Sequence, residues 1–227
     1  MLSKKVIVAL DNKDLSKTIN LVKILKNEVY AFKIGYQFFF NFGLVGYRKI
    51  YKICPKIFLD LKLHDIPNTV KNGLEALIKI RPIFTTIHIS GGDEMMRSSK
   101  FKNNITKVLG VSILTSMDSA QIKKYYNQNN ISKLVKKFTI AAKENKLDGV
   151  VCSPNEIKYI RKQVGKNFII VTPGIRIDNK IKRDDQKRVA TPKKAIKMGA
   201  NYLVIGRPIT ESKNPLKILK EINNSLQ

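Results

Sequence analysis

The sequence predicts an α/β fold, a (β/α)8 TIM barrel formed as a single domain over residues 1–227. Three observations predict it. Short apolar runs alternate with amphipathic stretches along the whole chain, the pattern of a parallel sheet with helical crossovers. Eight such runs in 227 residues give about 28 residues per repeat, the size of a strand–helix unit, and eight units close into a barrel. An open doubly wound sheet needs a glycine-rich phosphate loop after its first strand, and Leu10-Asp-Asn-Lys-Asp14 offers none.

The elements follow in order. Val6–Leu10 is a short run of apolar residues and reads as the first strand, followed by an amphipathic helix over Leu15–Lys26. Tyr30–Ile34 and Ile57–Leu61 read as the second and third strands, and Thr69–Ile80 as the helix after the third. Phe84–Ile89 and Lys107–Leu114 are the fourth and fifth strands, and Ile131–Asn145 carries helical periodicity. Gly149–Cys152 leads into a helix over Asn155–Val164. Phe168–Val171 leads into one over Pro192–Met198, and Tyr202–Ile205 is the eighth strand. Strands this short and apolar are those of a sheet covered on both faces. No linker divides the chain. The longest irregular stretch, residues 174–190, is polar and lysine-rich, and a loop of that length in a single domain is either functional or disordered.

Composition narrows the function classes. The formal net charge is +26, from 43 Lys+Arg against 17 Asp+Glu, which invites a nucleic-acid reading. Only eight of the basic residues are arginine, and the lysines are spread along the chain. Lys, Ile and Asn make up over a third of the residues, the bias of an AT-rich genome. A solvated lysine surface is therefore expected, with no specific nucleic-acid partner. No apolar run approaches the roughly 18 residues of a membrane span, so no membrane partner is expected. Met1-Leu-Ser-Lys-Lys-Val6 enters a strand pattern with no signal-peptide apolar region. Cys54 and Cys152 read as buried free thiols of a reducing, cytoplasmic compartment. His64 and His88 are the only histidines; they read as structural, and no metal-ligand cluster is expected.

In a barrel of this kind the active site lies at the C-terminal ends of the strands, and polar residues recur there: Asp11, Lys33, Asp60 and Lys62, His88, Thr115, Arg176 and Arg207. Alternation along a strand points Asp60 and Lys62 to the same side. With Asp65 at the following turn, Lys62 reads as a lysine held between two carboxylates. Charged groups from consecutive strands that share a lumen must pair, because burial of an unpaired charge is costly. At the end of the eighth strand, Gly206, Arg207 and the start of a short helix at Pro208-Ile-Thr210 suit a phosphate.

These segments closely resemble the orotidine 5′-phosphate decarboxylase family. The matching pieces are Val8-Ala-Leu-Asp11, Phe32-Lys-Ile-Gly35, Asp60-Leu-Lys-Leu-His-Asp-Ile-Pro-Asn-Thr69, His88-Ile-Ser-Gly-Gly92, Leu114-Thr115, Thr172-Pro-Gly-Ile-Arg176, Asp185-Gln-Lys-Arg188 and Gly206-Arg-Pro-Ile-Thr210. They stand in family order from the first strand to the eighth. The Asp-x-Lys-x-x-Asp pattern alone marks a wider superfamily that includes a magnesium-dependent sugar-phosphate decarboxylase. The Ile-Pro-Asn-Thr continuation and the two phosphate segments favour the orotidylate enzyme.

The resemblance implies decarboxylation of a nucleotide substrate, orotidine 5′-phosphate, to UMP with no cofactor and no metal. It implies Lys62 as the proton donor to C6, with Asp60 beside the substrate carboxylate, and Asp11 and Lys33 on the ribose hydroxyls and in the charged network. Asp65, with Ile66 and Thr69, would serve the neighbouring subunit's site in a homodimer with two shared active sites. Thr115 would contact the pyrimidine, Pro173 would wall the ring, and Gln186, Gly206 and Arg207 would hold the phosphate; Arg176 would contact the substrate at the start of a mobile loop over residues 174–190 that closes over the phosphate. Two departures stand out. Ile89 occupies a position where a small residue is expected, and the segment between Arg176 and Gln186 is one residue longer, which can shift the register of Gln186.

Overall fold

Eight parallel strands close into a barrel in sequence order in the computed structural model, which describes residues 4–100, 105–176 and 189–226. They are β1 (Val6–Ala9), β2 (Ala31–Ile34), β3 (Ile57–Leu63), β4 (Phe84–His88), β5 (Lys107–Val111), β6 (Gly149–Val151), β7 (Ile169–Thr172) and β8 (Tyr202–Ile205). Val6 and Val8 pair with Leu203 and Ile205 to close the ring. The helices are α1 (Leu15–Leu25), α2 (Tyr36–Ile53), α3 (Pro67–Ile78), α4 (Gly92–Ser98), α5 (Ser119–Tyr126), α6 (Ile131–Glu144), α7 (Ile157–Val164), α8 (Pro192–Met198), α9 (Arg207–Thr210) and α10 (Pro215–Ser225).

The predicted barrel is the observed one, with shifted boundaries. β5 stops at Val111 rather than at Leu114, because Ser112 already turns its N–H and hydroxyl to the Val151 carbonyl. β3 runs two residues beyond its predicted end. α3 starts at Pro67, ahead of the predicted Thr69, since proline suits the first helical turn, where its missing N–H has no partner to lose. α2 escaped the reading. Its first turns, Tyr36-Gln-Phe-Phe-Phe-Asn-Phe42, are too uniformly aromatic to show helical periodicity, and a glycine kink at Gly43 (φ 53°) interrupts it.

Two apolar layers follow from strand alternation. Residues facing out from the strands, such as Val6, Val8, Phe32, Ile57 and Leu59, pack beneath the helices. Residues facing in, namely Ile7, Ala9, Ala31, Phe58, Phe84, Leu109, Val171 and Val204, fill the lumen. One step further toward the C-terminal mouth the same inward positions become polar: Asp11 after Ala9, Lys33 after Ala31, Asp60 after Phe58, and Thr86 after Phe84. The apolar plug thus forms the floor on which a charged layer sits. Among the described residues no helix is long and apolar enough to cross a membrane.

Candidate active site

The C-terminal mouth of the barrel opens into a cavity of about 570 Å³ reached by Asp11, Lys33, Asp60, Lys62, Thr115 and Arg207. That volume suits a small ligand. A larger cleft of about 1080 Å³ lies at the opposite pole, where Lys4, Lys5, Lys26 and Lys56 surround Tyr30 and Tyr202. Among the described residues no carboxylate lines that cleft, whereas the mouth gathers both acids and bases, and the mouth is the candidate site.

The four charged side chains form a row across β1, β2 and β3. Lys33 Nζ lies 3.8 Å from Asp11 Oδ1 and 3.6 Å from Asp60 Oδ2. Lys62 Nζ lies 2.9 Å from the same Asp60 oxygen. The order is acid, base, acid, base. Asp60 is the anchor, with its side chain 9% exposed. Burial disfavours its charge, but the Lys33 and Lys62 ammonium groups, with hydrogen bonds from Lys62 and Thr86, outweigh burial and hold the carboxyl below its ordinary range.

Within this one chain, among the described residues, Asp60 sits between the Lys33 and Lys62 ammonium groups. Asp65 is exposed, and its Oδ1 accepts the backbone N–H of Ile66 at 2.7 Å, because the chain has already turned toward α3.

The means by which Asp60 and Lys62 meet also differs from simple alternation. Leu59 pairs with Thr85 and Leu63 with Ile87, so Asp60, Leu61 and Lys62 together face Thr86 alone. Two extra residues are looped into β3, and Lys62 takes a left-handed φ of 43°, which is unfavourable for a side chain bearing Cβ. A bulge of this kind re-aims side chains. Here it turns the Lys62 ammonium back over the Asp60 carboxylate.

Three further residues shape the row and were not singled out for it in the sequence. Thr86 Oγ1 accepts the Lys62 N–H and donates to Asp60 Oδ1, both at 2.9 Å. The Tyr36 hydroxyl donates to the Leu61 carbonyl at 3.0 Å, and the Lys62 ammonium lies 5.9 Å from the Tyr36 ring centre. At Gly35 an added Cβ would stand 2.9 Å from Lys33 Nζ and 3.4 Å from Asp11 Oδ1, so a side chain there would displace the lysine end of that ion pair. A glycine two residues after a lumen lysine was the visible signal. The threonine and tyrosine carried none, since their partners are distant in sequence.

Across the cavity stand Pro173, Gly174 and Arg176 after β7, and Gly206 and Arg207 after β8. Burial lowers the Arg176 pKa, and the nearby Arg207 charge adds to the effect. Two guanidinium groups close enough to disfavour each other make a place where an anion is favoured. Ile66 and Thr69 are exposed, and with Asp65 they lie outside the residues that reach the cavity. Gln186, and most of the 174–190 segment, lie outside the described residues.

Residues 4–222 match the family model described as orotidine 5′-phosphate decarboxylase / HUMPS. The chain belongs to the orotidine 5′-phosphate decarboxylase / HUMPS family. Among relatives named orotidine 5′-phosphate decarboxylase, that of Wigglesworthia glossinidia brevipalpis is 44% identical over 227 residues, covering 96% of this chain and 97% of the relative. That of the Wolbachia of Brugia malayi is 42% identical over 223 residues, covering 97% and 98%. A solved structure of orotidine 5′-phosphate decarboxylase from Lactobacillus acidophilus superposes with a TM-score of 0.84 at 34% identity, covering 99% of this chain and all of that one. The family's barrel and the charged mouth therefore coincide in this chain.

His88 gives the site an acid sensitivity. Burial, the neighbouring His64 (ring centres 5.2 Å apart) and Lys62 together lower its pKa from 6.5, opposed only by Asp60. A histidine whose folded pKa is depressed contributes stability that is whole above the unfolded value and is lost as pH falls through the folded value. Thermal stability of the wild type should therefore fall from about pH 6.5 downward, and His88→Gln should flatten that slope. An unchanged slope in the variant would assign the effect elsewhere.

Proposed function

We propose that this protein is an orotidine 5′-phosphate decarboxylase, a carbon–carbon lyase that converts orotidine 5′-phosphate to UMP and CO2, the last step of de novo pyrimidine synthesis. The observation that carries the reading is the alternating row Asp11–Lys33–Asp60–Lys62 facing an arginine pair across one cavity. Incubating the purified protein with orotidylate in excess chelator should change the nucleotide's ultraviolet absorbance. An unchanged spectrum would overturn the proposal. Activity on orotidylate in excess chelator would exclude the magnesium-dependent sugar-phosphate branch of the superfamily.

The chemistry follows from charge. When the bond from C6 to the carboxyl carbon breaks, its electron pair remains on C6, and the ring offers that pair no adjacent sink. A cation already aimed at C6 lowers the barrier without reorganising. In this reading Lys62 is that cation. It transfers one ammonium proton to C6, CO2 departs, and the neutral amine regains a proton from solvent. Asp60 holds the lysine charged and directed, and its own charge lies beside the substrate carboxylate, which decarboxylation removes. Asp11 and Lys33 bind the ribose hydroxyls. Thr115 and Pro173 border the pyrimidine. Arg176, Gly206 and Arg207, with Gln186, hold the phosphate, whose binding energy positions the ring. No cofactor is required by this scheme.

We further propose a homodimer in which Asp65, Ile66 and Thr69 complete the partner's site. The support is their exposure together with exposed apolar residues at the starts of two helices that follow adjacent strands: Tyr36 and Phe40, whose rings stack, are 48% and 76% exposed, and Ile66 is 66% exposed. Apolar patches of this kind mark association surfaces. Lys62→Ala and Asp65→Asn homodimers should each be inactive. Mixed as heterodimers they should regain activity, since one of the two shared sites then carries both lesions and the other none. Verified heterodimers without activity would place Asp65 outside the partner's site. The cytoplasm suits the enzyme, since Cys54 and Cys152 are buried and form no disulfide.

A further inference from the structure

We infer that Thr86 is a positioning residue for the reaction, its single hydroxyl setting the geometry of the Asp60–Lys62 pair from the neighbouring strand. The inference rests on the decarboxylase reading for its kinetic consequences, but its geometry stands apart from it.

The bulge in β3 sets three residues against Thr86. A regular parallel ladder would satisfy this stretch with backbone bonds. Here the Lys62 N–H, displaced by the bulge, is met by a side chain instead, Thr86 Oγ1 at 2.9 Å. The same hydroxyl donates to Asp60 Oδ1 at 2.9 Å, leaving Oδ2 to the Lys62 ammonium. One oxygen thus fixes both the backbone of the lysine and the rotation of the carboxylate that aims it.

Tyr36 holds the Leu61 carbonyl and restrains the middle of the bulge from the opposite side. Thr86 is fully buried, so water cannot easily replace it. A left-handed lysine persists only where its surroundings over-determine it, and these two side chains supply that determination. Valine at position 86 keeps the shape and removes both bonds. Serine keeps the bonds and removes a methyl group.

The test compares Thr86→Val with Thr86→Ser. With orotidylate as substrate, Thr86→Val should lose about a hundredfold in kcat, the scale of a misplacement near 1 Å, with KM within about threefold. Thr86→Ser should stay within about fivefold of wild type in both. Loss of the donor to Asp60 should also move the acid limb of kcat/KM to higher pH in Thr86→Val, because the carboxylate is then less stabilised. Wild-type kcat in Thr86→Val, or equal losses in both variants, would overturn the inference. If Thr86→Val does not fold, Thr86→Ala takes its place on the same criteria. Inactivity of the wild-type protein on orotidylate would remove the decarboxylase reading alone. The positioning role is then decided by a crystal structure of the folded hydroxyl-free variant. Separation of Lys62 Nζ from Asp60 supports it, and retention of the 2.9 Å contact with positive φ at Lys62 overturns it.

Discussion

Lys62→Ala should abolish turnover of orotidylate, by at least about a thousandfold in kcat, while the protein remains folded. Removing one preorganised electrostatic donor already costs about a hundred- to a thousandfold in well-studied enzymes, and Lys62 is proposed to supply both that stabilisation and the proton. The fold should survive because the lysine stands at the mouth, above the apolar plug formed by residues such as Phe58 and Phe84. Asp60 would keep Lys33 at 3.6 Å and the Thr86 hydroxyl, so its charge remains compensated. The barrel's circular dichroism spectrum should match that of the wild type. Residual activity above about a tenth of wild type would remove Lys62 from the proton-transfer role.

Asp60→Ala is expected to damage both activity and stability. Asp60 is the one carboxylate within reach of both Lys33 and Lys62 among the described residues. Without it, the Lys33 side chain, only 12% exposed, keeps a single acidic neighbour, Asp11, at 3.8 Å and half exposed. Breaking a buried ion pair by removing one partner destabilises by about 3–5 kcal/mol, which for a chain of this size lowers Tm by roughly 10 °C. Activity should fall at least as far as in Lys62→Ala, since the ammonium would lose both its direction and its charge support.

The pH dependence gives an internal control. The native Asp60 carboxyl lies below its ordinary value of 3.8, so its contribution is whole above that value and disappears as pH falls through the native one. The stability gap between wild type and Asp60→Ala should therefore be full at neutral pH and close in strong acid. A gap under about 1 kcal/mol at pH 7 would mean that the row is a solvated surface pair.

Much of this protein was legible in one dimension. Strand–helix alternation is a local property: each run of apolar residues declares its own burial, and eight of them leave few closed topologies. Lumen residues at the strand ends were legible too, because position at a C-terminal end and inward alternation are both readable along the chain. Asp11, Lys33, Asp60 and Lys62 were found in that way. α2 was missed because its aromatic start hides helical periodicity and Gly43 breaks the remainder.

What the sequence by itself determined was the barrel, the row of charges and the family to which they belong. Tertiary structure decided which charge holds which. Alternation assumes an unbroken strand, and β3 is broken where the charges meet: two looped-in residues, a left-handed Lys62 and a threonine hydroxyl from β4 set the Asp60 carboxylate between the Lys33 and Lys62 ammonium groups. Register between neighbouring strands depends on contacts across the ladder, and a bulge leaves no mark on the residues that form it. Its partners, Thr86 and Tyr36, are 24 and 25 residues from the atoms they hold, and only the closed ring of strands brings them there.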